Sequence, residues 1–274
     1  MIKKQRKQES LGELELRSIA YVQFRKKEFL RVGDLIEGLG LSKSQEYALL
    51  FRLKTKGQIV RIKRGIYYVP PQLPPSGRIS VSEYFILSKY MEIEKALYQV
   101  SGPSAFHRYG FDEQIPNIFY VYNDRISEGK TIGGYRFVFI RTSKERLKGS
   151  DLLKDASGVS VYIASRPKAL VDAVYDWSRF NTLPRAFSWI VAATKKDKRL
   201  ATQIVNAAVE SGNIAVARRI GCLLMNNGFS KQSLKKLKEL LGEATSLIPL
   251  VPRKSARGIA DKYWGIIIND TIEF

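Results

Sequence analysis

Four of the ten prolines crowd into residues 69–78 (VPPQLPPSGR), and no helix or central strand can run through such a segment. It is poor in backbone donors, favours extended backbone and predicts a semi-rigid spacer. The expected organisation is a first domain over 1–70, a proline-rich linker over 71–80 and a second domain over 81–274. With 274 residues, 45% of them hydrophobic, the chain can bury two cores.

Just before the prolines, two short alternating runs, Ile59–Ile62 and Ile66–Val69, flank the turn-like Lys63-Arg64-Gly65. Val60 and Ile62 alternate with Arg61 and Lys63, so one face of this hairpin can pack while the other stays cationic. Gly65 supplies the permissive backbone of the tip. Upstream, SKSQEYALLFRLKTKG opens with Ser42 and has Gln45 three residues later, the capping-box signature of a helix start, and Gly57 suits its end. At 100° per residue, Leu49, Leu50 and Leu53 form an inward stripe. The opposite side carries Ser44, Ala48, Arg52 and Thr55, flanked by Gln45 and Tyr47. Before it, Leu35, Ile36 and Leu39 mark a two-turn helix joined to the longer one by Gly-Leu-Ser. A helix over Leu11–Phe24 and a brief strand at Phe29–Val32 complete the region.

The exposed face of the longer helix has two readings. One is a solvated surface. The other is a DNA-reading face, in which Ser and Gln meet base edges, Arg bonds guanine or phosphate, and Ala leaves room for the major groove. The hairpin likewise reads as a lysine-blunted sheet edge or as a wing that grips phosphates. The helix pair, the small polar face and the basic hairpin occur in the order of a winged helix, and that agreement favours DNA. The predicted contact residues are Ser42, Lys43, Ser44, Gln45, Tyr47, Ala48 and Arg52 on the helix, with Arg61, Lys63 and Arg64 on the wing.

The formal charge of +20 suits a polyanionic partner. Its net excess is +9 in residues 1–70, +4 in 71–190 and +7 in 191–274. The later excess includes Lys195, Lys196, Lys198 and Arg199, the lysines of 231–238, and Arg253–Arg257, which read as solvated faces or as a second nucleic-acid contact. A single cysteine, Cys222, and a single histidine, His107, exclude an internal disulfide, make a zinc site unlikely chemistry for this chain, and fit a reducing cytoplasm. No apolar run approaches a membrane span, and the basic start MIKKQRKQES lacks a signal-like apolar region.

Residues 81–274 read as one mixed α+β domain with a helical carboxy-terminal part. Helices are expected at 81–97, within SGPSAFHRYGF, from Pro167 onward behind Ser165, and through about 184–241 with breaks near Gly212, Gly228 and Gly242. Strands are expected at 117–123, 135–142, 159–165 and 263–270. No catalytic constellation emerges. Gly129-Lys130-Thr131 ends like a phosphate-binding loop, but that motif needs a glycine where Asp124 stands, and a hairpin turn explains the segment. The Gly-Ser of KGSDLLKD resembles that of nucleotidyltransferases but lacks the paired carboxylates that should follow. Asp151 with Asp155, and Asp172 with Asp176, read as solvated pairs sharing a helix face. His107 reads as structural and Cys222 as a buried apolar residue.

The order of this winged helix, RGIYYVP, YQVSGPSAFHRYGF, IFYVYNDR, YRFVFIR and SRPKALVDAVYDW resembles the AbiEi-type antitoxins of abortive-infection (type IV) toxin–antitoxin systems. The likeness runs from about residue 20 to 268 and rests on diffuse patterns. It implies a non-enzymatic autorepressor that binds inverted repeats in its own promoter. It also implies a second domain that counteracts a nucleotidyltransferase toxin without a stable complex, and no cofactor. The family's reading helix falls on Ser42–Lys56, its wing on Arg61–Tyr67, and its Arg-Gly-x-Tyr element on Arg64, Gly65 and Tyr67. Two alternatives stay open. One is a nucleic-acid-processing enzyme using Asp124, Asp151, Asp155, Asp172 and Asp176; the other is a module that recognises RNA or protein.

Overall fold

The computed structural model describes residues 12–156, 158–242 and 246–270, so the basic start at 1–10 lies outside the described residues. The chain divides into two compact units, 1–90 with 131–134, and 91–130 with 135–274. Both mix helices with sheet, and the protein is α+β.

In the first unit, α1 (Glu13–Phe24) is followed by β1 (Phe29–Arg31), α2 (Asp34–Leu39), α3 (Lys43–Thr55), β2 (Val60–Lys63) and β3 (Ile66–Tyr68). Leu49, Leu50 and Leu53 of α3 are buried with Ile19 and Val22 of α1, Leu35 of α2, Leu30 of β1, and Ile59 and Val69. That core contains the inward stripe expected from the sequence. The α1 stripe is different. Glu15 and Ser18 are buried there, while Leu16 and Phe24 are exposed. The helix has turned a polar pair inward because Glu15 meets Arg52 and Lys56 from α3. α2 lies so near α1 that a Cβ on Gly38 would sit 2.1 Å from the Tyr21 ring, so a side chain there would have to displace Tyr21.

The sheet order is β1-β3-β2, antiparallel throughout. Its hairpin closes through two residues, Arg64 and Gly65, rather than the three expected, and Gly65 has φ +75°. The pairing register shifts between Arg61 and Lys63, while burial along β2 still alternates, with Arg61 exposed and Ile62 buried. Residues 71–80, expected as a linker, fall within the first unit. Leu73 packs on its core, Gln23 donates to the Pro70 carbonyl at 3.2 Å, and the Ile79 amide donates to Gly57 O at 2.8 Å.

Next along the chain come α4 (Glu83–Glu94), most of it in the first unit, β4 (Tyr98–Ser101), α5 (Pro103–Arg108), β5 (Ile118–Asn123), β6 (Glu128–Ile132), whose last two residues also count with the first unit, β7 (Tyr135–Arg141), β8 (Ser150–Lys154) and β9 (Ser160–Ala164). The six strands form one mixed sheet in the order β6-β7-β5-β4-β9-β8, with β5 parallel to β7 and β4 parallel to β9. Three of these strands, β4, β6 and β8, were not expected. EGKTI and SDLLK carry too little apolar alternation to announce themselves, and they pair because neighbouring strands offer partners. The segment read as a hairpin turn is therefore largely β6, and the turn falls at Gly133-Gly134.

The helical part holds α6 (Arg166–Tyr175), α7 (Trp177–Phe180), α8 (Arg185–Lys196), α9 (Lys198–Glu210), α10 (Ile214–Asn226) and α11 (Lys235–Leu241). Gly212, Gly228 and Gly242 take positive φ at the expected breaks. Ala169, Leu170, Ala173 and Val174 of α6 are fully buried, as their spacing predicts. A last small sheet pairs β10 (Ile248–Pro249), β11 (Ile259–Asp261) and β12 (Ile266–Ile268), so β12 is shorter than the 263–270 strand expected.

Candidate nucleic-acid interface

Local chemistry starts α3 where the sequence says it should. The Ser42 hydroxyl accepts from the Gln45 amide at 3.3 Å, and the Gln45 side-chain oxygen accepts from the Ser42 amide at 2.8 Å. This is a complete capping box, and it stabilises the first turn by satisfying two otherwise orphaned donors. Ser44 joins through its hydroxyl, 3.0 Å from that of Ser42.

What fixes α2 against α3 was invisible in the sequence. Glu46 points inward, and its carboxylate accepts from the amides of Gly33 (2.9 Å) and Leu35 (3.1 Å) at the start of α2. It thus caps the positive end of one helix from within the next. Asp34 adds a second acceptor nearby, taking the Arg31 amide at 2.8 Å and the Lys27 ammonium at 3.0 Å.

With Glu46 and the leucines inward, the outward face of α3 presents Lys43, Ser44, Gln45, Tyr47, Ala48, Phe51, Arg52 and Thr55. The predicted helix residues therefore share one surface. Two of them are partly committed. Gln45 spends its oxygen on the cap, and Arg52 donates through Nε to Glu15 at 3.3 Å, leaving the rest of its guanidinium half exposed. Phe51 was missed. It is 61% exposed near the middle of the face, beside Ala48 and the 75%-exposed Tyr47. The signal was available, since the 100° wheel puts it with Ser44 and Thr55.

At the hairpin, Arg61 and Arg64 are exposed, Lys63 is half-buried, and Ile62 is buried beneath them. Val32, 59% exposed, lies against the Gly65 tip, and its amide donates to Gly65 O at 3.0 Å.

Glu15 couples α1 to α3. Burial disfavours its charge, but the Lys56 hydrogen bond, the Gly12 amide and Arg52 outweigh that and hold the carboxyl below its usual 4.5. A depressed carboxyl contributes stability that is complete above the unfolded value and is lost as pH falls through the folded one. Melting temperature of the first unit is therefore expected to fall below pH 4.5, and Glu15→Gln is expected to remove that part of the slope, read by thermal melts from pH 6 to 3.

The carboxylates considered for catalysis do not converge. Asp151 lies on β8, and Asp155 accepts the Val159 amide at 2.9 Å in the β8–β9 turn, so the two share no helix face. Asp172 and Asp176 do share α6 or its end but are not solvated. Asp172 is fully buried and accepts from Arg146, Lys168 and Ser101 (2.6 Å), while Asp176 accepts from Tyr122 and from Arg146 at 3.3 Å. Among the described residues no three His, Cys, Asp or Glu side chains are placed to hold a metal ion. His107 is exposed on α5, and Cys222 is buried, with burial first and then Asp261 pushing its thiol up to about 12. No helix among the described residues is long and apolar enough to cross a membrane.

Residues 19–70 match the family model of the transcriptional regulator, AbiEi antitoxin. That span contains α2, α3 and the basic hairpin, and the match agrees with the resemblance drawn from the sequence. No curated protein matches the chain. Among solved structures it is similar to the crystal structure of the RV2827C protein from Mycobacterium tuberculosis, at 15% identity and a TM-score of 0.57, covering 94% of this chain and 92% of that one. At that identity the likeness concerns the fold alone.

Proposed function

We propose, from the antitoxin-regulator match over residues 19–70, that this chain is a DNA-binding autorepressor and antitoxin, with residues 1–70 as a winged-helix DNA-binding domain. The observation that carries the reading is the outward face of α3, where small, polar and aromatic side chains are exposed together, in a unit that also exposes an arginine-tipped hairpin. Ala48, Phe51 and Thr55 form the part of that face free of capping duties, with Ser44, Tyr47 and Arg52 around them. Ala and Phe suit thymine methyl groups, and hydroxyls suit either purine or pyrimidine edges. Ser42, Lys43 and Gln45 sit at the amino-terminal end of the helix, where phosphate is favoured. Arg61, Lys63 and Arg64 hold the backbone without reading sequence.

Two protomers on an inverted repeat in the protein's own promoter would place their reading helices about 34–36 Å apart, or a multiple of it. The pairing with a nucleotidyltransferase toxin, opposed by the second unit without a stable complex, rests on the family resemblance.

The test is fluorescence anisotropy against the DNA upstream of the gene and a shuffled control, across a salt series. Preference for the upstream DNA is expected to persist as salt rises, whereas equal and steeply salt-sensitive binding to both would reduce the interaction to net charge. In the same assay Arg61→Ala/Arg64→Ala is expected to weaken binding to both DNAs and to flatten the salt slope by about 1.8, the share of two phosphate contacts. An unchanged slope would remove the hairpin from the interface.

A further inference from the structure

We infer that the groove beyond the carboxyl ends of β5 and β7 is a binding site for a phosphate ester. The two strands run parallel to their last pair, Asn123 with Arg141. In open sheets the space past such ends is where ligands settle, because both chains turn away there and leave a crevice. Here an open cavity of about 560 Å³ is lined by Asp124, Arg125, Arg141, Thr142, Ser143 and Lys144. That volume suits a small ligand or a few linked phosphates.

The walls are built, not incidental. Asn123 is fully buried, and its side-chain oxygen accepts the amides of Arg125 (2.9 Å) and Ile126 (2.7 Å), while its nitrogen donates to Ile126 O at 3.0 Å. Its own carbonyl accepts the Thr142 amide at 2.7 Å. One buried amide thus sets both loops, which is the local use of Asn that turns favour.

The charges do not cancel. The single carboxylate of the lining, Asp124, accepts the Leu97 amide at 3.0 Å and is only 12% exposed, with Arg125 Nε 4.0 Å away. Arg125 keeps its guanidinium 59% exposed, and Arg141, Ser143 and Lys144 are exposed. Glu145 stands next along the chain, engaged with the Ser143 hydroxyl and with Lys144 and Lys148. The lining therefore holds three cations to one anion, plus two hydroxyls. Guanidinium forks and hydroxyls are the donors that phosphate oxygens take. The lining includes no aromatic ring, so its charged and hydroxyl groups carry recognition, and these are aimed at phosphate. Its source is a free nucleotide or the backbone of a nucleic-acid strand. The site belongs to the second unit and stands whether or not the first binds DNA.

The experiment titrates the full chain by calorimetry with inorganic triphosphate, ATP and a short single-stranded RNA. Three proteins are compared: the natural chain, Arg141→Gln, and Lys154→Gln, whose side chain is exposed on β8 and lies outside the lining. Triphosphate is expected to bind the natural chain and Lys154→Gln alike and Arg141→Gln about tenfold more weakly, the loss of one charge-assisted contact. ATP that displaces RNA with the same dependence on Arg141 identifies a free nucleotide; loss confined to RNA identifies a strand. Equal weakening by both substitutions, or no difference between Arg141→Gln and the natural chain with any probe, would overturn the site.

Discussion

Replacing Asp172 with alanine is expected to destabilise the second unit by about 3–5 kcal/mol, the usual cost of leaving a buried charge without its partner. Asp172 is fully buried, and its carboxylate meets Arg146 and Lys168, whose side chains are only 7% and 6% exposed. Burial alone would raise its pKa, but the Lys168 and Arg146 charges and their hydrogen bonds hold it below 3.8. Without it two cations share one cavity wall, with Asp176 as the remaining counter-charge. Arg146 cannot shed its proton, and it is fixed over the Tyr175 ring at 4.0 Å. Lys168 can, because burial already pushes its pKa down.

That difference makes the prediction sharper. Lys168→Met/Asp172→Asn is expected to recover much of the loss, since it restores one cation to one anion with similar volume. All three tryptophans, Trp177, Trp189 and Trp264, lie in the second unit, so urea unfolding followed by their fluorescence reports on it directly. If Asp172→Ala unfolds at the urea midpoint of the natural protein, the cluster contributes nothing to stability. Stability from Asp172 is expected to be complete above pH 3.8 and to fade as pH drops through its lowered folded value.

Glu46→Ala is expected to do comparable damage to the first unit. The amides of Gly33 and Leu35 lose their acceptor, at roughly 1–3 kcal/mol for each donor left unpaired in the interior. The start of α2 also loses the negative charge that complements its dipole. Glu46→Gln keeps an acceptor and should lose less, so the pair separates hydrogen bonding from charge. Hydrogen exchange at Leu35 and Ile36 would show α2 opening first. Under the DNA-binding reading, affinity for the promoter should fall with it, because α2 is one of the two helices packed on α3. Natural exchange rates in Glu46→Ala would refute the lock.

These two carboxylates also mark the boundary of what the sequence made legible. Interactions three or four residues apart could be read in advance: the Ser42–Gln45 box, the leucine stripe of α3, the buried face of α6. Glu46 reaches partners 11 and 13 residues back, and Asp172 meets Arg146 and Ser101 across 26 and 71 residues. No local pattern encodes such meetings, and the Asp172–Asp176 spacing looked like any solvated pair. Phe51 shows the converse. Its position on the helical wheel was readable, yet it was not among the residues expected on the outer face. The weakly patterned strands β6 and β8 escaped for a related reason, since their conformation comes from neighbours and not from their own residues.

The division of labour along α3 carries an evolutionary consequence. Side chains that hold the helix in place, namely Ser42, Gln45, Glu46 and the three leucines, are distinct from Ala48, Phe51 and Thr55, which hold nothing in the core. If those outer positions meet bases, operator preference can drift or be exchanged between paralogues through a few substitutions, without a stability toll that selection would have to repair first.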